Sequence, residues 1–178
     1  GESYDPNIQS DYDMMMEEIS GKYGQSSEQM EDMMGRISHH ETGPNQRMNP
    51  AAIQEGGGPG RGLFQFETGE GQGGMTAMRR MREYYRDVLG QQSPEWTEYN
   101  PKEGVDASRL TPEQQKMLFM ANTRMSKHGS FEGVSPDNLA NWWNQYHYAG
   151  PKNKMNAFHE SMADYEITDT AENRAFNY

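Results

Sequence analysis

The sequence predicts a mainly α-helical domain of the α+β class, with about five to seven helices and a small Gly-rich β-hairpin region. Apolar residues recur at helical spacing in several separate segments, which indicates amphipathic helices. Many of the 19 glycines lie between residues 56 and 74 and predict an irregular segment there. The chain of 178 residues has the length of one ordinary domain.

The first half of the chain contains one strong helical pattern. A short helix is expected around 12–20, and residues 1–26 are interpreted as an N-terminal extension. The next helix is predicted to begin with Ser27 as its N-cap and to end at Gly43, followed by a proline. Its apolar stripe has the spacing i, i+3, i+4, i+7 and consists of Met30, Met33, Met34 and Ile37. Beyond it, 51–55 and 62–66 are predicted to form the hairpin, joined by the Gly-rich residues 56–60.

Helical spacing returns in the second half. Thr111 followed by a proline, with Gln114 three residues after it, is a strong start signal for a helix. A polar tail is expected from residue 166 to residue 178, which leaves 27–165 as the folded domain. The helices of this half are predicted over 75–89, 111–127, 135–146 and from about 151 to 162, with a long loop over 91–110.

Composition excludes several classes of function. The net charge of −11 argues against nucleic acid as a partner, because phosphate binding needs concentrated Lys and Arg. The one basic run, residues 79–82, is interpreted as a solvated helix face. No apolar run approaches the length of a membrane span, so membrane insertion is not expected. Only 33% of the residues are hydrophobic and 15 residues are Met, so we expect a thin, loosely specified core.

No metal or cofactor is expected. The chain has no Cys, and its five His residues show no zinc-ligand spacing on one helix. The adjacent His39 and His40 are expected on different helix faces. The N-terminus shows no stretch like a signal peptide, and Gly1 suggests a processed start.

Three short motifs carry the candidate chemistry. Glu41 lies at the end of the first strong helix, where the negative end of the helix dipole helps raise a carboxyl pKa. In 60–67, glycines allow close approach of the backbone, and the amide of Gln65 can hydrogen-bond a sugar. In 146–151, aromatic rings precede small residues that allow a tight turn. Each motif alone is more often structural than functional.

In this order, the motifs resemble those of the lysozyme superfamily, especially soluble lytic transglycosylases, goose-type lysozymes and murein-cleaving domains of phage virions. Those families share a helix ending in Glu and Ser or Thr, then Gly-Leu-Met-Gln, then Tyr-Asn-Ala-Gly-Pro. The counterparts here are Glu41-Thr42-Gly43, Gly62-Leu63-Phe64-Gln65 and His147-Tyr148-Ala149-Gly150-Pro151. The resemblance covers about residues 27–165 and implies a lysozyme-like fold.

The resemblance implies that Glu41 is the general acid/base of glycosidic cleavage in peptidoglycan. It also implies that Gln65 lies in the glycan groove and that the turn at 147–151 faces Glu41. Either His147 or Tyr148 could stand for the family's tyrosine. The residues expected to contact substrate are Phe64, Gln65, Tyr146, His147 and Tyr148.

Goose-type lysozymes also have an acidic residue two positions after the Gln, where Glu67 stands here. In an inverting hydrolase a second carboxylate activates water. Glu67 is the first candidate for this role and Glu70 the second, whereas a lytic transglycosylase needs neither. The expected partner is the peptidoglycan glycan strand, with virion proteins as further partners. The expected location is a phage virion or the host periplasm and cell wall, or alternatively secretion. Two other functions remain open, a non-catalytic lysozyme-like binding or structural module and a chitinase-type enzyme.

Overall fold

The structure, a computed structural model, describes residues 5–148, 150 and 154–176. This part of the chain is mainly helical, with six α-helices and a small two-stranded antiparallel sheet, which confirms the predicted α+β class. The helices are α1 (Pro6–Lys22), α2 (Ser27–Thr42), α3 (Gly73–Asp87), α4 (Pro112–Arg124), α5 (Leu139–Trp142) and α6 (Met155–Phe176). The strands are β1 (Gly60–Arg61) and β2 (Phe66–Glu67).

Helix α4 forms the centre of the fold. Its residues 117–121 are all fully buried, so this helix is covered on every side instead of showing one apolar face. Helices α1 and α3 pack against it. The predicted cap is present, since the Thr111 side chain accepts from the N–H of Gln114 and the Gln114 side chain accepts from the N–H of Thr111.

Helix α1, within the segment predicted as an extension, belongs to this core. Helix α1 begins with Asp5 as its N-cap and a proline at its first position, and it continues through Gly21. Met15 and Ile19 are fully buried in the same cluster as α4. The helix is longer than expected because the cap at Asp5 and the proline after it supply a start signal that apolar spacing alone does not reveal.

Acidic residues of α1 have partners in the core. The hydroxyl of Tyr84 donates to Glu18 at 2.9 Å, and that of Tyr85 donates to Asp11 at 2.7 Å. Both tyrosine rings are fully buried on α3. Buried hydroxyls need acceptors, and α1 supplies them.

The C-terminal tail predicted over 166–178 is also wrong for most of its length, because α6 continues to Phe176. The helix packs on α2 through polar contacts. Asp164 lies 2.7 Å from Nε2 of His39, and the hydroxyl of Ser161 lies 2.7 Å from Nδ1 of His40. The two histidines were expected on different faces of the helix, but both contact α6.

The hairpin is shorter than predicted and shifted along the chain. Gly60 pairs with Glu67 and Arg61 with Phe66, while the expected first strand contributes only the bridge from Ile53 to Arg61. Residues 62–65, predicted as strand, form the turn between the strands. Gly62 and Gln65 have φ of 77° and 51°, values that extended strands do not contain.

Among the described residues, none of the helices is both long and apolar enough to cross a membrane.

Candidate active site

Glu41 lies in the last turn of α2. The helix begins with Ser26 as its N-cap, one residue earlier than predicted, and ends at Thr42. Gly43 adopts φ of 69°, which lets the chain leave the helix sharply. The Thr42 hydroxyl donates to the carbonyl of Ser38 at 2.7 Å and accepts from the N–H of Met48 at 2.9 Å. Thr42 thus fixes the loop that follows Glu41.

A cleft of about 700 Å³ opens beside Glu41. Its volume lies in the range typical of ligand sites in proteins. The cleft brings together parts of all three motifs, the end of α2, the hairpin turn and the segment after α5. The motif residues that line it are Glu41, Thr42, Gly43, Gln65, Phe66, Glu67, Tyr146, His147, Tyr148 and Gly150. Ala149 and Pro151 of the third motif lie outside the described residues.

The carboxyl group of Glu41 is largely buried. Only 14% of its side chain is exposed. Burial raises the pKa of Glu41 from 4.5 to about 7, and the hydrogen bond from Trp143 opposes this rise. The indole N–H of Trp143 donates to Oε1 of Glu41 at 2.5 Å. A large fraction of Glu41 is therefore protonated near neutral pH, as a proton donor requires.

A turn of π-helix aims Trp143 and His147 at this carboxyl. Residues 135–146 were expected to form a helix, but regular α-helix covers only Leu139–Trp142 and continues as a π-turn over Trp143–His147. The N–H of Tyr148 donates to the carbonyl of Trp143 at 2.8 Å, the i+5 bond of a π-turn. The Tyr148 ring stacks on Trp143 with 4.7 Å between centroids and buttresses the indole from the cleft side.

His147 faces Glu41 but is neutral. Burial lowers the pKa of His147 to about 4, although its hydrogen bond to the backbone of Phe64 opposes the change. Nε2 lies 2.8 Å from the carbonyl oxygen of Phe64. Because a carbonyl only accepts, Nε2 carries the hydrogen, and Nδ1 does not. The same Nε2 is 3.7 Å from Oε1 of Glu41, beyond hydrogen-bond distance. The donor to Glu41 is thus Trp143, a partner that the sequence did not point to.

The hairpin turn forms part of the cleft wall and is fixed by side-chain bonds. The amide nitrogen of Gln65 donates to the carbonyl of Gly62 at 2.9 Å and to that of Ala52 at 3.3 Å. Its Oε1 is the atom that remains to accept from a ligand. From α4, Oε1 of Gln115 accepts from the N–H of Leu63 at 2.7 Å, so the central helix holds this turn in place.

The expectation that the Phe64 side chain contacts substrate is wrong. Its ring is 1% exposed and stacks on Phe119 of α4 with 4.6 Å between centroids. Phe64 contributes to the site through its carbonyl, which orients His147. Tyr146 behaves differently, since it lines the cleft and is 46% exposed.

The two candidates for a second carboxylate lie in different surroundings. Glu67 lines the cleft, whereas Glu70 is exposed on the following turn and is absent from the described cleft wall. Glu55, which the sequence did not single out, also lines the cleft and accepts from the Asn45 amide at 3.3 Å. Glu55 lies beside a Gly-rich segment and outside the three motifs, so the sequence did not indicate that it is a site residue.

His40 also lines the cleft. Burial, with smaller contributions from the charges of Arg47, His147 and His39, lowers the pKa of His40 to about 4. Its ring packs against Trp143 and Phe158. Over the described ranges, no group of three or more His, Asp or Glu side chains is arranged to hold a metal ion.

Neither a family model, nor a curated protein, nor a solved structure matches this chain.

Proposed function

We propose that this protein cleaves the glycan strands of peptidoglycan at the β-1,4 bond between N-acetylmuramic acid and N-acetylglucosamine, with Glu41 as general acid/base. The observation that carries the proposal is the buried Glu41 carboxyl on the wall of an open cleft, with its pKa raised to about 7. Glycosidic cleavage needs a carboxyl group that remains protonated near neutral pH and reaches the leaving oxygen.

The contacts of Glu41 support its role as a donor. Because the Trp143 indole only donates, Oε1 accepts from it and the acidic hydrogen belongs on Oε2. Protonation of the glycosidic oxygen leaves a carboxylate, and the same Trp143 N–H stabilises that charge. Because His147 is neutral, it adds no positive charge that would favour ionisation of Glu41.

The resemblance to lytic transglycosylases and goose-type lysozymes supports peptidoglycan as the substrate. It rests on three motifs in a fixed order, and parts of all three line one cleft here. The chain departs from the family's third motif at 147–148, where His-Tyr replaces Tyr-Asn. The hydrogen-bond donor to Glu41 can therefore differ from the family's tyrosine. Trp143 fills that role.

Two outcomes of cleavage are compatible with the cleft. In a hydrolase, Glu67 activates the attacking water, with Glu55 as the alternative on the same cleft. In a lytic transglycosylase, the 6-hydroxyl of the muramic acid attacks and no second carboxylate is needed. Glu70 is the weakest candidate because it is exposed outside the described wall.

Mass spectrometry of muropeptides after digestion of purified peptidoglycan tests the proposal. Reducing-end sugars identify a hydrolase and anhydro-muramic ends a transglycosylase. Glu41→Gln keeps an acceptor for Trp143 and should abolish both products, whereas the exposed Glu98→Gln should release as much product as wild type. Unchanged activity of Glu41→Gln, or no new ends with wild type, would favour the non-catalytic module. Faster turnover of chitin oligomers than of peptidoglycan would favour the chitinase alternative.

A further inference from the structure

The basic run at residues 79–82 is not a uniformly solvated face, contrary to the expectation from sequence. Arg79 does lie on a solvated face, since its side chain is 56% exposed and its Nε lies 4.0 Å from Oε1 of Glu83. Arg82 donates to the hydroxyl of Thr97 at 2.9 Å. Arg80, between them, lines the same cleft as Glu41 and is only partly exposed.

Arg80 has few acceptors for its five N–H groups. One terminal nitrogen donates to Oδ1 of Asn122 at 2.7 Å. Because the guanidinium only donates, this bond fixes the orientation of the amide and leaves Nδ2 of Asn122 as a second donor. In the part of the chain that the structure describes, no carboxylate lies within 4.0 Å of Arg80, although other arginines of the molecule have such partners. Burial, followed by the charge of Arg79, lowers the pKa of Arg80, and the charge of Glu83 opposes this change.

The cleft is lined by side chains of both charge types. Its acidic side chains are Glu41, Glu55 and Glu67, and its two histidines, His40 and His147, are neutral at pH 7 because burial lowers their pKa to about 4. Among the described lining residues, Arg80 is therefore the only cation. An anionic substituent of a ligand in this cleft is repelled by ionised carboxylates and attracted to Arg80.

We propose that Arg80, together with the amide of Asn122, binds a carboxylate that the substrate carries beside its sugar rings. This inference rests on the proposed function, since every second sugar of peptidoglycan bears a lactyl group. That group ends in a free carboxylate or continues into a stem peptide with carboxylates of its own. Chitin carries neither. A guanidinium and an adjacent amide offer convergent donors that suit a carboxylate. Arg80 thereby makes the cleft selective for wall glycan over chitin.

The test compares matched ligands on matched variants. Isothermal titration in a Glu41→Gln background, which prevents turnover, measures binding of a disaccharide with a free lactyl carboxylate, its methyl ester, and the same disaccharide bearing a stem peptide. Arg80→Gln should weaken binding of the carboxylate ligand by on the order of tenfold, as expected for a lost charged hydrogen bond, and should leave the ester unaffected. The neighbouring Arg79→Gln removes the same charge from the solvated face and should bind like the parent.

The ligand on which Arg80→Gln acts distinguishes the lactyl carboxylate from those of the stem peptide. Arg80→Lys keeps the charge without the planar fork and should lose only part of the affinity, and circular dichroism checks the fold of each variant. Equal effects of esterification on the parent and on Arg80→Gln, with equal affinities of the two proteins for the stem-peptide ligand, overturn the inference, as do equal losses in Arg79→Gln and Arg80→Gln. If Arg80→Gln does not fold, Arg80→Lys with parental affinity for both acid and ester overturns it. Absence of any difference between acid and ester in the parent, together with no effect of Arg80→Gln on the ligand bearing the stem peptide, also refutes the carboxylate site. Release of muropeptides by wild type would still uphold the proposed function.

Discussion

Replacement of Glu41 by Gln should stabilise the protein at alkaline pH while it removes activity. Glutamine keeps the size of the side chain and an acceptor for the Trp143 N–H, but it cannot ionise. In wild type, the folded protein holds the Glu41 proton to a higher pH than the unfolded chain does. Its contribution to stability is therefore complete below about pH 4.5 and is lost as the pH rises through about 7.

The magnitude follows from the change in pKa. A rise from 4.5 to about 7 corresponds to about 3 kcal/mol, since a tenfold change in proton affinity is worth about 1.4 kcal/mol. The stability of Glu41→Gln relative to wild type should therefore increase by about 3 kcal/mol between pH 4.5 and pH 8. The side chain is 14% exposed, so solvent screening reduces this value only in part.

The assay is urea denaturation followed by tryptophan fluorescence at several pH values. The difference between variant and wild type must be used, because His40 and His147 act in the opposite direction. Their folded pKa of about 4 lies below the ordinary 6.5, so they make wild type more stable as the pH rises through that interval. Glu98→Gln, at an exposed position, controls for loss of one surface charge. Parallel curves for wild type and Glu41→Gln from pH 4.5 to pH 8 would refute the assignment of a raised pKa.

Three further predictions concern the surroundings of Glu41. Trp143→Phe removes the N–H that lowers the pKa of Glu41, so the alkaline limit of activity should move to higher pH. The rate should fall about tenfold because the hydrogen bond is lost. An unchanged pH profile of muropeptide release would contradict this prediction. His147 should remain the neutral Nε2–H tautomer down to about pH 5 in ¹⁵N NMR, and titration near 6.5 would exclude the burial that lowers its pKa. Gly62→Ala should lower the unfolding free energy by about 2–3 kcal/mol, because its Cβ would meet the Gln115 side chain, whereas Gly71→Ala has a similar φ with open space around it and should lose only about 1 kcal/mol. Equal losses in urea denaturation would show that backbone conformation alone sets the cost.

Sequence patterns predicted the helices best where an apolar stripe and a cap coincide. The N-cap of α2 lies one residue before the predicted position. Ser26 and Ser27 are both suitable caps, and Gln29 selects Ser26 because it completes the capping box with it. The start of α4 at Thr111 is as predicted. Helix α1 is longer than expected because its start signal at Asp5 lies ahead of the apolar spacing, and α6 is longer because polar residues on it have distant partners, such as Glu166 with Arg36.

The site could be predicted only in part for a related reason. Glu41 at the end of α2 follows from the local pattern, because the stripe stops and a glycine allows the chain to turn. The direction of Trp143 depends on a π-turn, which has no signature in residue spacing. Arg80 lines the cleft and Arg79 does not, because of the side of α3 that faces the cleft. That orientation is determined by the packing of α3 against α4.

The bonds that assemble the site link distant parts of the chain. Leu63 and Gln115 are 52 residues apart, Phe64 and His147 are 83 apart, and Glu41 and Trp143 are 102 apart. Contacts of such separation require closure of long loops, and the entropy cost of closing a loop precedes the contact energy that it gains. A nascent or truncated chain that ends before Trp143 lacks the residues that bury Glu41 from this side. In such a chain the Glu41 carboxyl is hydrated and ionises as an ordinary glutamate. The raised pKa of Glu41 is therefore acquired only when the segment that carries Trp143 has docked, so the completeness of folding itself controls when the proposed acid chemistry becomes available.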